Sequence, residues 1–179
     1  VNLAKGIEEK TLRRVSEIIA QDWRRINARS IVTISGPSHA EEVARRLPTS
    51  VVVAGEEKRC RQTQELYSDD TFRVYRSPDL IGVELGGALK NIIAIGAGIA
   101  AGLGFGDNTQ GALITRGLFE INRLAVTMGA DPETLAGLSG VGDLITTCIS
   151  EHSRNHYVGF NIGRGKTLDE VLAGMVMVA

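Results

Sequence analysis

Cysteine is scarce in this sequence. There are two in 179 residues, Cys60 and Cys148. They lie far apart with no metal-ligand spacing, which excludes a disulfide framework and reads as ordinary reduced thiols of a cytosolic protein. An excess of one charge is also absent. Lys and Arg total 20 against 21 Asp and Glu, for a formal net charge of −1. That balance argues against a dedicated nucleic-acid binder, which carries a basic excess, though local basic clusters stay allowed. No run reaches the ~18 uninterrupted apolar residues of a membrane span once Lys90, Asn91 and the glycines are counted, and no signal peptide is visible. The histidines His39, His152 and His156 include one pair four apart, fit to share a helix face, but no third ligand stands near enough to make zinc the reading. Internal repeats and low-complexity linkers are missing too. There is no initiator Met. The chain opens mid-pattern on "VNLAKGIEEKT" and ends on the apolar "GMVMVA", so both ends read as cut and a piece of a longer protein is expected.

What is present suffices for a core. Hydrophobic residues make up 43% of a length that allows one large domain or two small ones. The first part alternates helix and strand signals. "EEKTLRRVSEIIAQDW" places Leu12, Val15, Ile18 and Ile19 at helical spacing, and "SIVTISG" is a β-branched strand closed by Gly36. "SHAEEVARRL" opens on Ser38 with Glu41 three residues later, a capping-box pattern. "TSVVVAG" and "TFRVYRS" read as further strands, with the helix "EEKRCRQTQELYS" between them. Strands alternating with helices predict a parallel α/β sheet. After Pro78 only helices are predicted. A long one covers "DLIGVELGGALKNIIAIGAGIAAGL" and a second "NTQGALITRGLFEINRLAVTMGA". A third opens at Asp131 as N-cap with Pro132 at the first position. Three more follow, in "GVGDLITTCIS", "SRNHYVGFNIGRG" and "TLDEVLAGM". The expected organisation is α/β over residues 1–77 followed by all-α over 78–179.

Several residues stand out for chemistry. On the long helix, Lys90 shares its face with Gly86, Gly87, Ile93, Ala94 and Ala97. Those small neighbours leave a slot for a partner helix or a small ligand. A buried lysine must be matched or lose its charge, so Lys90 either pairs with a core carboxylate, snorkels to the surface, or serves as an acid or base near neutral pH. Asp143 and Thr147 are four apart on one helix face, and Asp143 follows Gly140 and Gly142. Asp143 taken alone reads better as a helix cap than as a ligand-binding acid. "HSRN" sets Ser153, Arg154 and Asn155 at a helix start, a site suited to phosphate or carboxylate, or else a solvated cap. "NLAKG" puts Lys5 at a strand end before a glycine turn, and the "ISGPSHA" turn carries Gly36 and Ser38 to a strand's carboxyl end, where open α/β sheets bind ligands. The glycines of "GLGFGDN" follow a helix rather than a strand, so they read as an interhelix turn and not a nucleotide loop.

Taken together, "AKG" (4–6), "SGPSHA" (35–40), the block from Phe72 to Ile121, "LSGVGDLITTC" (138–148) and "SRN" (153–155) resemble the NAD(P)-dependent glycerol-3-phosphate dehydrogenase family, over nearly the whole chain. The resemblance implies a Rossmann-type domain joined to a helical substrate domain. It implies interconversion of glycerol 3-phosphate and dihydroxyacetone phosphate with NAD or NADP, feeding phospholipid synthesis in the cytoplasm, and a homodimer by family habit. It makes Lys90 the catalytic lysine, Lys5 a second lysine near substrate and nicotinamide, and Asp143 the acid that binds substrate and orients Lys90. Asn91, Thr147, Ser153, Arg154 and Asn155 become substrate contacts. Gly36 and Ser38 become substrate-loop positions, and Ala40 a cofactor contact beside Lys5 and Arg154. One departure is plain: no G-x-G-x-x-G follows a strand, so residues 1–77 look like only the later half of the dinucleotide domain. The chain by itself is therefore expected to bind NAD(P)H poorly and turn over little. The rival readings are another hydroxyacid dehydrogenase and a non-enzymatic helical module for dimerisation.

Overall fold

The computed structural model describes residues 1–23 and 25–175, and the end of the apolar run read above as a cut terminus, residues 176–179, lies outside them. Helix α1 (Val15–Asp22) precedes strand β1 (Thr33–Ser35), helix α2 (Ala40–Ala44), strand β2 (Thr49–Ala54), helix α3 (Glu57–Tyr67) and strand β3 (Phe72–Ser77). Then come α4 (Leu80–Gly102), α5 (Asp107–Thr127), α6 (Asp143–Ile149), α7 (Arg154–Gly163) and α8 (Leu168–Ala173). The sheet order is β1-β2-β3. β2 and β3 are parallel, as the alternating pattern predicts, with Val51 opposite Val74. β1 runs antiparallel to β2, with Ile34 opposite Val53, so the sheet is mixed. The link over residues 36–48, which holds the five-residue α2, brings the chain back antiparallel to β1.

β2 is buried on both faces, which explains its unbroken apolar run. Val51 and Val53 join Val32, Ile34, Val74 and Cys60 of α3 in one cluster. Val52 and Ala54 face the other way, onto Val83 of α4. α4 is the hub, packed by α5, α6, α7 and the sheet. By length and composition it could cross a membrane. Here it is a core helix whose two charged residues, Glu84 and Lys90, are both buried and both partnered. Glu84, which the sequence does not flag, accepts from Arg14 Nη1 at 2.8 Å, from Ser16 N at 2.9 Å and Ser16 Oγ at 2.6 Å, and from Thr33 Oγ1 at 3.2 Å. It ties α1 and β1 to the hub.

Three local expectations are corrected. The first helix begins at Val15, not Glu8, because Glu8–Arg13 folds into a turn closed by the Ile7–Arg14 bridge. Leu12, counted in the periodic stripe, is exposed at φ 58°. Ser38 and Glu41 form no capping box. The N-cap of α2 is His39, and the Ser38 hydroxyl donates instead to the Gly36 carbonyl at 3.1 Å. The helix expected at Asp131 is a single 3₁₀ turn, Thr134–Ala136, followed by a π-helical turn, Leu138–Gly142. Asp131 Oδ1 accepts from Glu133 N at 2.9 Å rather than capping a full helix.

Glycine brings α4 and α7 into backbone contact. A Cβ on Gly98 would lie 2.2 Å from the His156 carbonyl oxygen, and one on Gly159 would lie 2.1 Å from that of Ile95. Gly102 and Gly163, one turn further on, meet in the same way. The expected outcome is that Gly159→Ala destabilises the fold by at least about 1–3 kcal/mol, the cost of overpacking against rigid backbone. Gly111→Ala on α5, where a Cβ meets open space, raises stability by up to about 1 kcal/mol through helix propensity. Urea unfolding of both variants checks the contrast.

Candidate active site

The site forms where the sheet half meets the helical half. Lys5 lies just past Asn2, which bridges to Thr33 of β1, so the sheet delivers Lys5 to the junction. Lys90 sits on α4. Asp143 opens α6, placed there by the π-helical turn. Asp143 accepts from Lys5 Nζ at 2.6 Å through Oδ2 and from Lys90 Nζ through Oδ1. Ser35 Oγ reaches Oδ2 at 3.5 Å. Thr147, one turn along α6, accepts from Lys90 Nζ at 2.7 Å and donates its own hydroxyl to the Asp143 carbonyl at 2.6 Å. The spacing of four read from the sequence therefore places both side chains on the same ammonium. Asp143 is not a helix cap, because its carboxylate is committed to the two lysines.

Lys90 is 7% exposed and Asp143 2%. Burial pushes the Lys90 ammonium down to about 8; the Asp143 charge opposes that shift and the Lys5 charge adds to it. Two of its three N–H groups go to Asp143 and Thr147, leaving one for the cavity it lines. The slot predicted beside Lys90 is filled largely by the chain itself. A Cβ on Gly86 would lie 2.5 Å from the Ser139 carbonyl oxygen, and one on Gly87 2.7 Å from Ser35 Oγ and 3.3 Å from Lys5 Cδ. The two glycines admit the π-helical turn and Lys5. Ala94 and Ala97 pack against Leu144 and Cys148 of α6, and burial raises the Cys148 thiol to about 11.

A cavity of about 710 Å³ opens onto these groups. Lys5, Ser38, Ala40, Lys90, Asn91, Asp143, Thr147, Ser153, Arg154 and Asn155 all line it. Ten of the eleven residues expected at the site thus meet in one place. Gly36 does not line the cavity. At φ 137°, with a virtual Cβ 3.0 Å from Val51 Cα, it makes the turn that carries Ser38 and His39 there. Ser153 Oγ caps α7, accepting from His156 N at 3.2 Å. His152 precedes that helix, so it shares no face with His156; it lies instead beside His39, ring centroids 5.8 Å apart. His39 was not marked by the sequence reading, and only its place in the "SGPSHA" turn could have signalled it. No group of three or more His, Cys, Asp or Glu side chains among the described residues could hold a metal.

A nicotinamide cofactor can be tested against these residues. Lys5, Ala40 and Arg154 share the cavity wall. The α2 start supplies no glycine fingerprint for a pyrophosphate. The residues present fit the reactive end of such a cofactor and not its phosphates.

A small mixed sheet joined to a helical body, with two lysines meeting one buried carboxylate at the junction, places the chain in a dehydrogenase fold class. It belongs to the NAD-dependent glycerol-3-phosphate dehydrogenase family, whose N-terminal model matches residues 1–61 and whose C-terminal model matches residues 79–179. It is 59% identical to a glycerol-3-phosphate dehydrogenase [NAD(P)+] of Pelotomaculum thermopropionicum, over 99% of this chain and 51% of that protein. A Thermoanaerobacter relative of the same name is 56% identical over 99% of this chain and 53% of its own length. The crystal structure of glycerol-3-phosphate dehydrogenase from Coxiella burnetii superposes with a TM-score of 0.93 at 40% identity, covering 98% of this chain and 53% of that one. The chain thus spans about half the length of the relatives it matches.

Asp143→Asn removes the anion between two cations. The expected outcome is a loss of about 3–5 kcal/mol at neutral pH, the cost of leaving buried charge uncompensated. Chemical denaturation checks it.

Proposed function

We propose that the protein carrying this chain interconverts sn-glycerol 3-phosphate and dihydroxyacetone phosphate with NAD or NADP, supplying glycerol 3-phosphate for phospholipid synthesis. The observation that carries the proposal is Lys90, buried at the cavity and held by Asp143 and Thr147 with a pKa near 8. In the oxidative direction the neutral amine takes the proton of the C2 hydroxyl. Its two N–H groups stay on Asp143 and Thr147, so the lone pair points to the substrate. Asp143 then faces the ammonium that forms and stabilises it. A bound nicotinamide supplies the acceptor for the hydride leaving C2. In the reductive direction Lys90 returns the proton to the carbonyl oxygen. Lys5 adds positive charge where the oxygen carries developing negative charge.

The dianionic phosphate needs cations and N–H donors. Arg154 and Asn155, at the start of the ten-residue α7, supply them, with Asn91 and the hydroxyls of Ser38 and Ser153 close by. Lys5, Ala40 and Arg154 are proposed to meet the nicotinamide end of the cofactor. The division at 77/78 is proposed as the domain boundary, supported by β3 ending at Ser77 and α4 beginning at Leu80. A cytoplasmic location is supported by the two buried, unpaired cysteines. A homodimer is proposed with it, supported by exposed apolar residues such as Phe119 and Leu124 on α5.

In the intact protein, Lys90→Ala is expected to lower kcat by about 10²–10⁴-fold, the usual contribution of a positioned acid or base, and to leave NAD(P)H binding unchanged. Unaltered turnover would overturn Lys90 as the proton carrier. In the unsubstituted protein the sign of the pH dependence differs between directions. Oxidation requires neutral Lys90, so kcat/KM rises as pH passes about 8, and reduction requires the ammonium, so it falls over the same range. Steady-state kinetics with glycerol 3-phosphate against 2- and 3-hydroxy acids separates this reading from other hydroxyacid dehydrogenases.

A further inference from the structure

The mechanism leaves two histidines of the same cavity without a task. His39 comes from the sheet half, at the turn after β1. His152 comes from the helical half, immediately before the Ser153 cap of α7. Both line the cavity, and their rings meet at 5.8 Å with a tilt of 58°. His39 Nε2 is buried and has no hydrogen-bond partner among the described residues. An orphaned ring nitrogen is costly in a fold whose other buried polar groups are mostly satisfied. A residue that served packing alone would need no such atom. His152 is exposed, in the loop between α6 and α7, so its ring is able to turn away from His39.

We propose that His39 and His152 form a two-imidazole clasp for the phosphate of the ligand, holding it between the sheet half and the start of α7. A neutral imidazole offers one N–H donor and an imidazolium two. A phosphate oxygen placed between the rings satisfies the orphaned nitrogen of His39 and draws His152 off its face. Arg154 and Asn155 come after His152 with only Ser153 between, and they line the same cavity, which brings all four side chains round one anion. The clasp also links the two halves of the molecule only when a phosphorylated ligand is present, which makes it a specificity element for phosphate over an unphosphorylated alcohol. This inference rests on the phosphorylated substrate proposed above.

The test is calorimetric titration of the intact protein with glycerol 3-phosphate, inorganic phosphate and glycerol, beside NMR spectra of the imidazole groups. Glycerol 3-phosphate and inorganic phosphate are expected to shift the signals of both His39 and His152, and glycerol neither. His39→Leu and His152→Leu should each weaken glycerol 3-phosphate at least about tenfold, the worth of a hydrogen bond to a charged group. His39→Gln, which keeps a side-chain N–H at a similar reach, should restore most of the affinity. If the protein binds glycerol 3-phosphate while both Leu variants retain its affinity, the clasp is overturned and the proposed function stands. If the Leu variants fail to fold, silent imidazole signals in the unsubstituted protein during saturation overturn it equally. If the unsubstituted protein binds no glycerol 3-phosphate, the proposed function fails first and the clasp with it.

Discussion

One carboxylate organises this molecule. Asp143 receives Lys5 from 138 residues upstream and Lys90 from 53 residues upstream, with Lys90 buried and Lys5 still partly open to water. Two ammonium groups and one carboxylate leave a net positive charge, which suits the anionic ligand proposed for the cavity. Burial holds Lys90 well below an ordinary lysine, with Asp143 opposing that shift and Lys5 adding to it. Much of the local backbone serves this meeting. Gly86 and Gly87 strip one face of α4 so that the π-helical turn and Lys5 can approach it. The π-helical turn in turn starts α6 where Asp143 and Thr147 both face Lys90. π-helical turns are frequent at functional sites, and this one aims a carboxylate.

A second buried carboxylate, Glu84, holds the scaffold. It lies six residues before Lys90 on the same helix and gathers Arg14, Ser16 and Thr33. The two acids divide the labour. Glu84 fixes the sheet half to α4 by a fully hydrogen-bonded network, and Asp143 fixes the reactive groups. α4 can carry two charges through the middle of the protein because each meets opposite charge and donors in good geometry, the condition under which buried ion pairs are tolerated.

Much of this was legible in the residues. The 23-residue α4, the strand run at Thr49–Ala54 and the interhelix turn at Gly104 follow from apolar pattern and glycine chemistry. The cluster of Lys5, Lys90, Asp143 and Thr147 follows from charge in an apolar stretch, together with the resemblance. What was not legible depends on contacts far apart in sequence. Glu84 looks like an ordinary helix-face acid until Arg14 arrives 70 residues away. The antiparallel pairing of β1 with β2 joins residues far apart in sequence, and helix–strand alternation alone does not specify its direction. The α4–α7 glycine contact pairs Gly98 and Gly102 with Gly159 and Gly163, and neither pair means anything without the other. Leu12 misled because periodicity counts an apolar residue as buried wherever it falls in register, and here the backbone turns before the helix begins. His39 escaped because its importance lies in a contact with His152, across the junction of the two halves.

The account stands on the charge state of Lys90. The most direct measurement is heteronuclear NMR titration of the lysine Nζ groups of the protein, with Lys90 assigned through Lys90→Met. The account predicts a Lys90 midpoint near 8, well below the ordinary lysine value. A midpoint at the ordinary value of 10.5 would show an unperturbed surface-like ammonium and contradict its role as the proton carrier.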